Sequence, residues 1–149
     1  MQIPEAAHSA TALVQTPAGF AFDLLASADF VGGWSLGSMG LQPAGPSVFR
    51  GRSLFDGSET FVEIRPNPGL GLIDFAVGSL EQREPRIFIR VIPGEVIARD
   101  PACCLVSLHA VRSASATPET WARTCIVHEA EILLIKAQLE TRYANGGAL

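Results

Sequence analysis

Lysine is almost missing from this sequence: Lys136 stands alone against ten arginines. A single amine, on the border of the last helical segment, argues against Schiff-base chemistry. Charge of either sign is scarce as well, at 17% of residues against about 25% in an ordinary soluble domain. Such a surface either hides in an oligomer or surrounds an internal cavity. There is no basic footprint. Eleven basic and fifteen acidic residues leave a net charge of −4 and an isoelectric point near 5.3, so neither nucleic acid nor a membrane is expected as a partner.

Cysteine is too sparse for a disulfide framework. Cys103, Cys104 and Cys125 make neither an even set nor a C-x-x-C pair, and neighbouring Cys103 and Cys104 point to opposite faces of a strand. Reduced thiols in a cytoplasm are expected. The longest uncharged stretch, Phe30 to Phe49, could span a bilayer by length, but it holds Gly32, Gly33, Gly37, Gly40, Gly45, Pro43 and Pro46. That is the composition of loops and strands, not of a transmembrane helix. Residues Met1 to Val14 carry Glu5 and no basic residue ahead of an apolar run, which is not a secretory signal. No repeat or low-complexity segment divides the chain.

What remains is 149 residues, 48% apolar, enough for one domain with one core. The pattern predicts a strand over Ser9 to Gln15, then Thr16 and Pro17 opening a helix with Phe20, Phe22, Leu24 and Leu25. A short helical turn follows from Ser27 or Asp29 to Trp34. Six strands are then expected: Leu36–Gln42, Ser47–Leu54, Thr60–Arg65, Leu70–Gly78, Arg86–Ile92 and Cys103–Arg112, with Asp56-Gly57 as a hairpin signal. Thr117 caps and Pro118 begins a final helix of about 25 residues, which no Gly or Pro interrupts before Gly146. Trp121, Cys125, His128, Ile132, Ile135 and Leu139 fall on one stripe of it and must be buried. Ile126, Ala130, Leu133, Leu134 and Ala137 lie opposite, with Glu131, Gln138 and Arg142 along one border and Glu129, Lys136 and Glu140 along the other. Two apolar faces on one helix suggest a homo-oligomer. Consecutive strands with short turns favour a curled antiparallel sheet whose concave face the long helix covers.

The segment from Thr16 to Ser27, the tryptophan at Trp34 and the closing His128-Glu129-Ala130-Glu131-Ile132-Leu133-Leu134-Ile135-Lys136-Ala137-Gln138-Leu139-Glu140 resemble the START/Bet v 1-like (SRPBCC) superfamily, most nearly its polyketide cyclase/dehydrase-type branch. The resemblance implies an α+β helix-grip fold: a curved antiparallel sheet around a long carboxy-terminal helix, two short helices after the first strand, and an apolar tunnel for lipids, aromatics or polyketides. It spans nearly the whole chain, residues 1–149, as one ligand-binding domain. Its activities range from passive carriage to cyclisation and dehydration, and it transfers no invariant catalytic motif.

Three local motifs have plainer explanations. Gly33-Trp34-Ser35-Leu36-Gly37 matches the nucleophile elbow G-x-S-x-G, but a helical pattern precedes it and too little chain follows for a parallel sheet. It is expected as the turn leaving the second helix. His128-Glu129-Ala130-Glu131-Ile132 starts like a zincin helix yet has Ile132 where the second histidine belongs, so no metal is expected. Gly69-Leu70-Gly71 lacks the third glycine and the helix of a dinucleotide loop. No cofactor is implied.

Trp34, Phe61, Phe75, Phe88, Trp121, Cys125, His128 and Ile132 are the candidate ligand-binding residues. If the protein is an enzyme, the resemblance implies a cyclase or dehydratase, with His128 or His109 as the acid/base group. His128 is open to two readings, a core histidine satisfied by a neighbour or a ligand contact. His109 lies in a strand with two apolar faces, so the period does not choose its side. Asp74, Glu63, Arg50, Arg52 and Arg90 interrupt strand patterns and belong on a solvated face. The function expected is binding of a hydrophobic small molecule between sheet and final helix. The alternatives are a non-catalytic carrier and a protein-interaction module.

Overall fold

A computed structural model describes residues 2–146. Strand β1 (Ala7–Val14) is followed by helices α1 (Ala18–Leu25) and α2 (Ala28–Val31). Then come β2 (Met39–Gly45), β3 (Val48–Arg52), β4 (Glu59–Asn67), β5 (Leu72–Gly78), β6 (Arg83–Pro93), β7 (Cys104–Val111) and helix α3 (Pro118–Ala144). The seven strands form one antiparallel sheet in the order β1-β7-β6-β5-β4-β3-β2. Only the β1–β7 pair is not a sequential hairpin, because the chain between them supplies every other strand. This is the helix-grip architecture the sequence implies.

Strand ends differ from the sequence reading by up to three residues, and two of the differences have local reasons. The strand expected from Leu36 begins at Met39, because 35–38 is still turning out of α2, with Ser38 N–H donating to the Ser35 carbonyl. The strand expected from Leu70 begins at Leu72, after a 3₁₀ turn at Pro68–Leu70 that ends at Gly71 with φ +60°. A side chain there would place its Cβ 2.4 Å from the Val91 carbonyl oxygen, so glycine is required by conformation and by space.

Register fixes which residues face the helix. One row crosses the concave face as His8, Ala110, Ile87, Phe75 and Ile64; the next crosses it as Ala10, Leu108, Ile89 and Ile73. Against these rows α3 lays Trp121, Cys125, His128, Ile132, Ile135 and Leu139, all buried. Thr117 caps the helix, its hydroxyl accepting from Thr120 N–H at 3.1 Å. Both flanks of α3 are tied down. On the β1 side Glu129 meets His8, Lys136 donates to the Leu13 carbonyl, and Glu140 accepts from Gln15 N–H. On the other, Glu131 accepts from Leu36 N–H and Gln138 donates to the Gly33 carbonyl.

The opposite face of α3 has no cover from the amino-terminal elements. Ile126 is 58% and Leu133 64% exposed, whereas Leu134 leans into the core edge. All three cysteines are free and buried. No helix among the described residues is long and apolar enough to cross a membrane.

Candidate functional site

The segment leaving α2 brings the site's first wall. Gly32 N–H donates to Ala28, and a Cβ on Gly32 would lie 2.7 Å from Leu41 N, so the absence of a side chain lets this turn press onto β2. The G-x-S-x-G match is this turn, as expected. It sets Trp34 under the sheet, 3% exposed, and joins the Ser35 and Ser38 hydroxyls at 2.7 Å.

Between that turn, strands β4 to β6 and α3 lies a cleft of about 270 Å³, which continues into an inner chamber of about 40 Å³. Ser35, Ser38, Val77, Ile87, His128 and Glu131 border both spaces. Trp34, Val62, Phe75 and Leu108 close the inner end, while Phe55, Asp56, Ser58, Arg86 and Arg123 stand at the outer one. At that mouth Arg123 covers the Phe55 ring at 4.8 Å, and Arg86 Nε is 3.1 Å from Glu84 Oε2 as an ion pair without hydrogen-bond alignment.

Burial disfavours the charged forms of the two titratable groups at the inner end. Glu131, 4% exposed, accepts one hydrogen bond, from Leu36 N–H at 2.8 Å. Burial pushes its pKa up to about 7, against the lesser opposing pull of that bond. Burial and the neighbouring His8 push His128 down to about 4. His128 Nε2 lies 3.7 Å from Glu131 Oε1, so between about pH 4 and pH 7 this is a contact of two uncharged groups, not an ion pair. Neither Trp34 Nε1 nor His128 Nδ1 has a protein hydrogen-bond partner, although both are sealed from bulk solvent. Such groups cost about 1–3 kcal/mol each when left unsatisfied.

The structure brings together three of the expected site residues, Trp34, Phe75 and His128. Trp121 and Cys125 form a separate cluster with Ala110 and Ile87, where the indole N–H donates to the Pro4 carbonyl at 2.7 Å. Trp121 fills space there and borders neither cleft nor chamber. Ile132 belongs to the main core. Phe61 and Phe88 alternate with inward-facing Val62 and Ile89, on the sheet face away from α3. His109 lies on that same outer face, stacked on Phe88 at 4.6 Å and hydrogen-bonded to the Ser9 and Ser107 hydroxyls at 2.7 and 2.8 Å. Desolvation lowers its pKa. Replacing His109 with Ala is therefore expected to leave ligand binding at the cleft unchanged, which a titration of wild type and variant side by side would check; a weakened variant would bring His109 into the site.

Glu131 at the inner end and His8, packed edge to face on His128, escaped the sequence reading. Glu131 falls on the polar border of the helix, but it is also three residues after His128 and four before Ile135, so it shares their edge. That spacing was the available signal. His8 had none, because only the pairing of His8 with Ala110 in the finished sheet carries it beneath α3. Among the described residues no three His, Cys, Asp or Glu side chains gather to hold a metal ion.

A second, wider groove of about 440 Å³ lies between α1, the Pro68–Gly71 turn and the end of β6. Arg90 is the one charged residue on a wall otherwise made by such residues as Phe22, Leu70 and Val96. It has no counterpart to the convergent groups of the cleft.

No protein-family model matches the chain, and no curated protein matches its sequence. Solved structures match its fold. A START superfamily protein from Mycobacterium smegmatis is 15% identical with a TM-score of 0.61, over 92% of this chain and 99% of that one. The Zhui aromatase/cyclase from Streptomyces sp. R1128 is 14% identical with a TM-score of 0.64, over 96% and 98%. The Aha1 dimer from Colwellia psychrerythraea is 13% identical with a TM-score of 0.66, over 91% and 97%. At these identities the likeness is one of fold, and that fold is START-like.

Proposed function

We propose that this START-like fold binds a small, largely apolar molecule in the cleft between sheet and α3 and transfers a proton to or from it through Glu131. One observation carries the reading: the inner chamber, walled mainly by apolar side chains, ends on a carboxyl group whose pKa of about 7 leaves acid and base forms together at neutral pH, which suits general acid–base work. Trp34 Nε1 offers a donor to a ligand oxygen, and His128 stands beside the carboxyl. Phe75 supplies apolar wall. The cleft is slightly below the usual 300–1,000 Å³ of small-molecule pockets, so a compact ring system fits better than a long chain. The aromatase/cyclase among the structural neighbours supports a cyclisation or dehydration of the polyketide-cyclase kind. Convergence of Glu131, His128 and Trp34 favours this over passive carriage, for which an unadorned apolar space suffices.

Mass spectrometry of small molecules released from natively purified protein tests the reading. A compact apolar compound bearing a carbonyl or hydroxyl is expected, and His128→Leu should change which compounds are retained. If the substitution instead costs about 1–3 kcal/mol of stability while the retained compounds stay the same, His128 has no place in the site.

The reading also places the protein in a reducing cytoplasm, supported by its three free cysteines, and as a homo-oligomer joined through the outer face of α3. The exposure of Ile126 and Leu133 supports the latter. Sedimentation at micromolar concentration should show more than a monomer, and Leu133→Glu should dissociate it without unfolding. A monomeric wild type rejects self-association.

A further inference from the structure

Resting on the reading of the cleft as a small-molecule site, we propose that its ligand carries a carboxylate, held at the mouth by the guanidinium of Arg86 while the apolar ring lies inward toward Trp34 and Phe75. Adjacent residues of a regular strand point to opposite faces, yet Arg86 and Ile87 both border the cleft. The reason is a bulge in β6. Ile87 pairs with Phe75 and Glu84 with Val77, so Pro85 and Arg86 together oppose the single residue Ala76. An extra residue of this kind bends the strand and re-aims a side chain. Pro85, with no N–H to give the ladder, suits that position. Without the bulge Arg86 would share the outward parity of Phe88 and Arg90.

An arginine turned into a cleft calls for an anion there, and the protein supplies one only in part. Glu84 Oε2 is 3.1 Å from Arg86 Nε, but that Nε is sealed from solvent and makes no hydrogen bond. The Glu84 carboxylate is half-exposed and accepts from the Ser113 hydroxyl at 3.2 Å, where the chain passes from β7 to α3. Glu84 therefore balances charge from outside and leaves the Nε–H of Arg86 unused. A ligand carboxylate is the matching group, since its two oxygens accept Nε–H and one Nη–H side by side. A phosphate ester, near two negative charges at neutral pH, would face Asp56 and Glu84 with one such guanidinium to offset it. The other cation at the mouth is already engaged: Arg123 covers the Phe55 ring at 4.8 Å and lies close enough to Asp56 to lower its pKa. At the inner end Trp34 Nε1 has no protein partner, and the Glu131 carboxyl borders the same chamber. A compact ring acid with a hydroxyl or carbonyl oxygen at its far end meets a complement at both ends and binds in one orientation. Arg86 then fixes the ligand, and Glu131 exchanges the proton beside its inner oxygen.

Parallel titrations with 2-naphthol and 6-hydroxy-2-naphthoic acid at pH 6, followed by amide and indole NMR, test the proposal. The acid is ionised at that pH and keeps the ring and hydroxyl of the naphthol. Wild type should bind it at least about tenfold more tightly, with saturable shifts at the Ile87 amide and at Trp34 Nε1–H. Arg86→Gln should remove that advantage and Arg123→Gln should retain it. Equal affinities for the two compounds in wild type overturn the carboxylate. An advantage lost equally in both variants overturns Arg86 as its anchor, as do acid-induced shifts at Leu70 and Val96, beside Arg90 of the second groove, in place of Ile87. The wild-type pair decides even if Arg86→Gln fails to fold. If 2-naphthol saturates the cleft and the acid binds no better, the proposed function stands without this ligand class; if neither compound enters the cleft, both are lost.

Discussion

Removing α3 by ending the chain at Thr117 should abolish cooperative thermal unfolding. The helix buries Trp121, Cys125, Ile132, Ile135 and Leu139, and the concave face beneath it includes Ile73, Ile89, Val106 and Leu108, each fully buried. A fully buried apolar side chain is worth about 1.5–3 kcal/mol. Several lost from the helix alone reach the 5–15 kcal/mol that hold a whole domain. Truncation also strips the sheet of its longest cover on that side, leaving α1, α2 and the turn after them, and frees the flank contacts at Leu13, Gln15, Leu36 and Gly33. Circular dichroism on heating should show no sigmoidal transition. A soluble fragment that still melts cooperatively sinks the helix-grip account of stability.

Glu131→Gln should stabilise the protein at alkaline pH relative to wild type and do so far less in mild acid. The folded-state pKa of Glu131, about 7, stands above its ordinary 4.5. Below 4.5 both folded and unfolded states hold the proton and there is no cost. As pH rises from 4.5 to 7 the unfolded chain ionises freely while burial opposes ionisation in the folded one, so stability falls, by on the order of 3 kcal/mol in all. His128 acts in the other window: its folded pKa of about 4 lies below 6.5, so its contribution is present above 6.5 and is lost as pH falls toward 4. Glutamine removes the first dependence and keeps the second. Denaturant unfolding at pH 5 and pH 8 should show the variant gaining about 2–3 kcal/mol on wild type between them. An equal difference at both pH values means that Glu131 titrates normally and is no poised acid.

The parts of this molecule legible in the sequence are those set by local rules. Helix α3 was legible because Thr117 and Pro118 open it, nothing breaks it, and the spacing from Trp121 to Leu139 marks one face. The order of strands was legible because turn residues punctuate it. Which way each strand faces was harder, since β4 and β6 carry apolar residues on both sides. Even so, Phe61 shares its parity with Glu63 and Arg65, and Phe88 with Arg90. Once those charges are placed in solvent, both phenylalanines must follow them out. His109 illustrates the limit: in β7 inward Leu108 and Ala110 alternate with Ser107 and His109, and only the stacking of His109 on Phe88 tells the two faces apart. His8 and Glu131 were hidden for another reason. One reaches the site through a pairing that spans most of the chain, and the other looks like an ordinary border charge until Leu36 N–H closes over it.

Amide and indole NMR during titration with 2-naphthol, a compact ring system with one polar oxygen, tests the central claim most directly. The account predicts saturable shifts at Trp34 Nε1–H and at the amides of Val77, Ile87, His128 and Glu131. Shifts confined to Phe22, Leu70 and Val96 of the outer groove, or none that saturate, would contradict it.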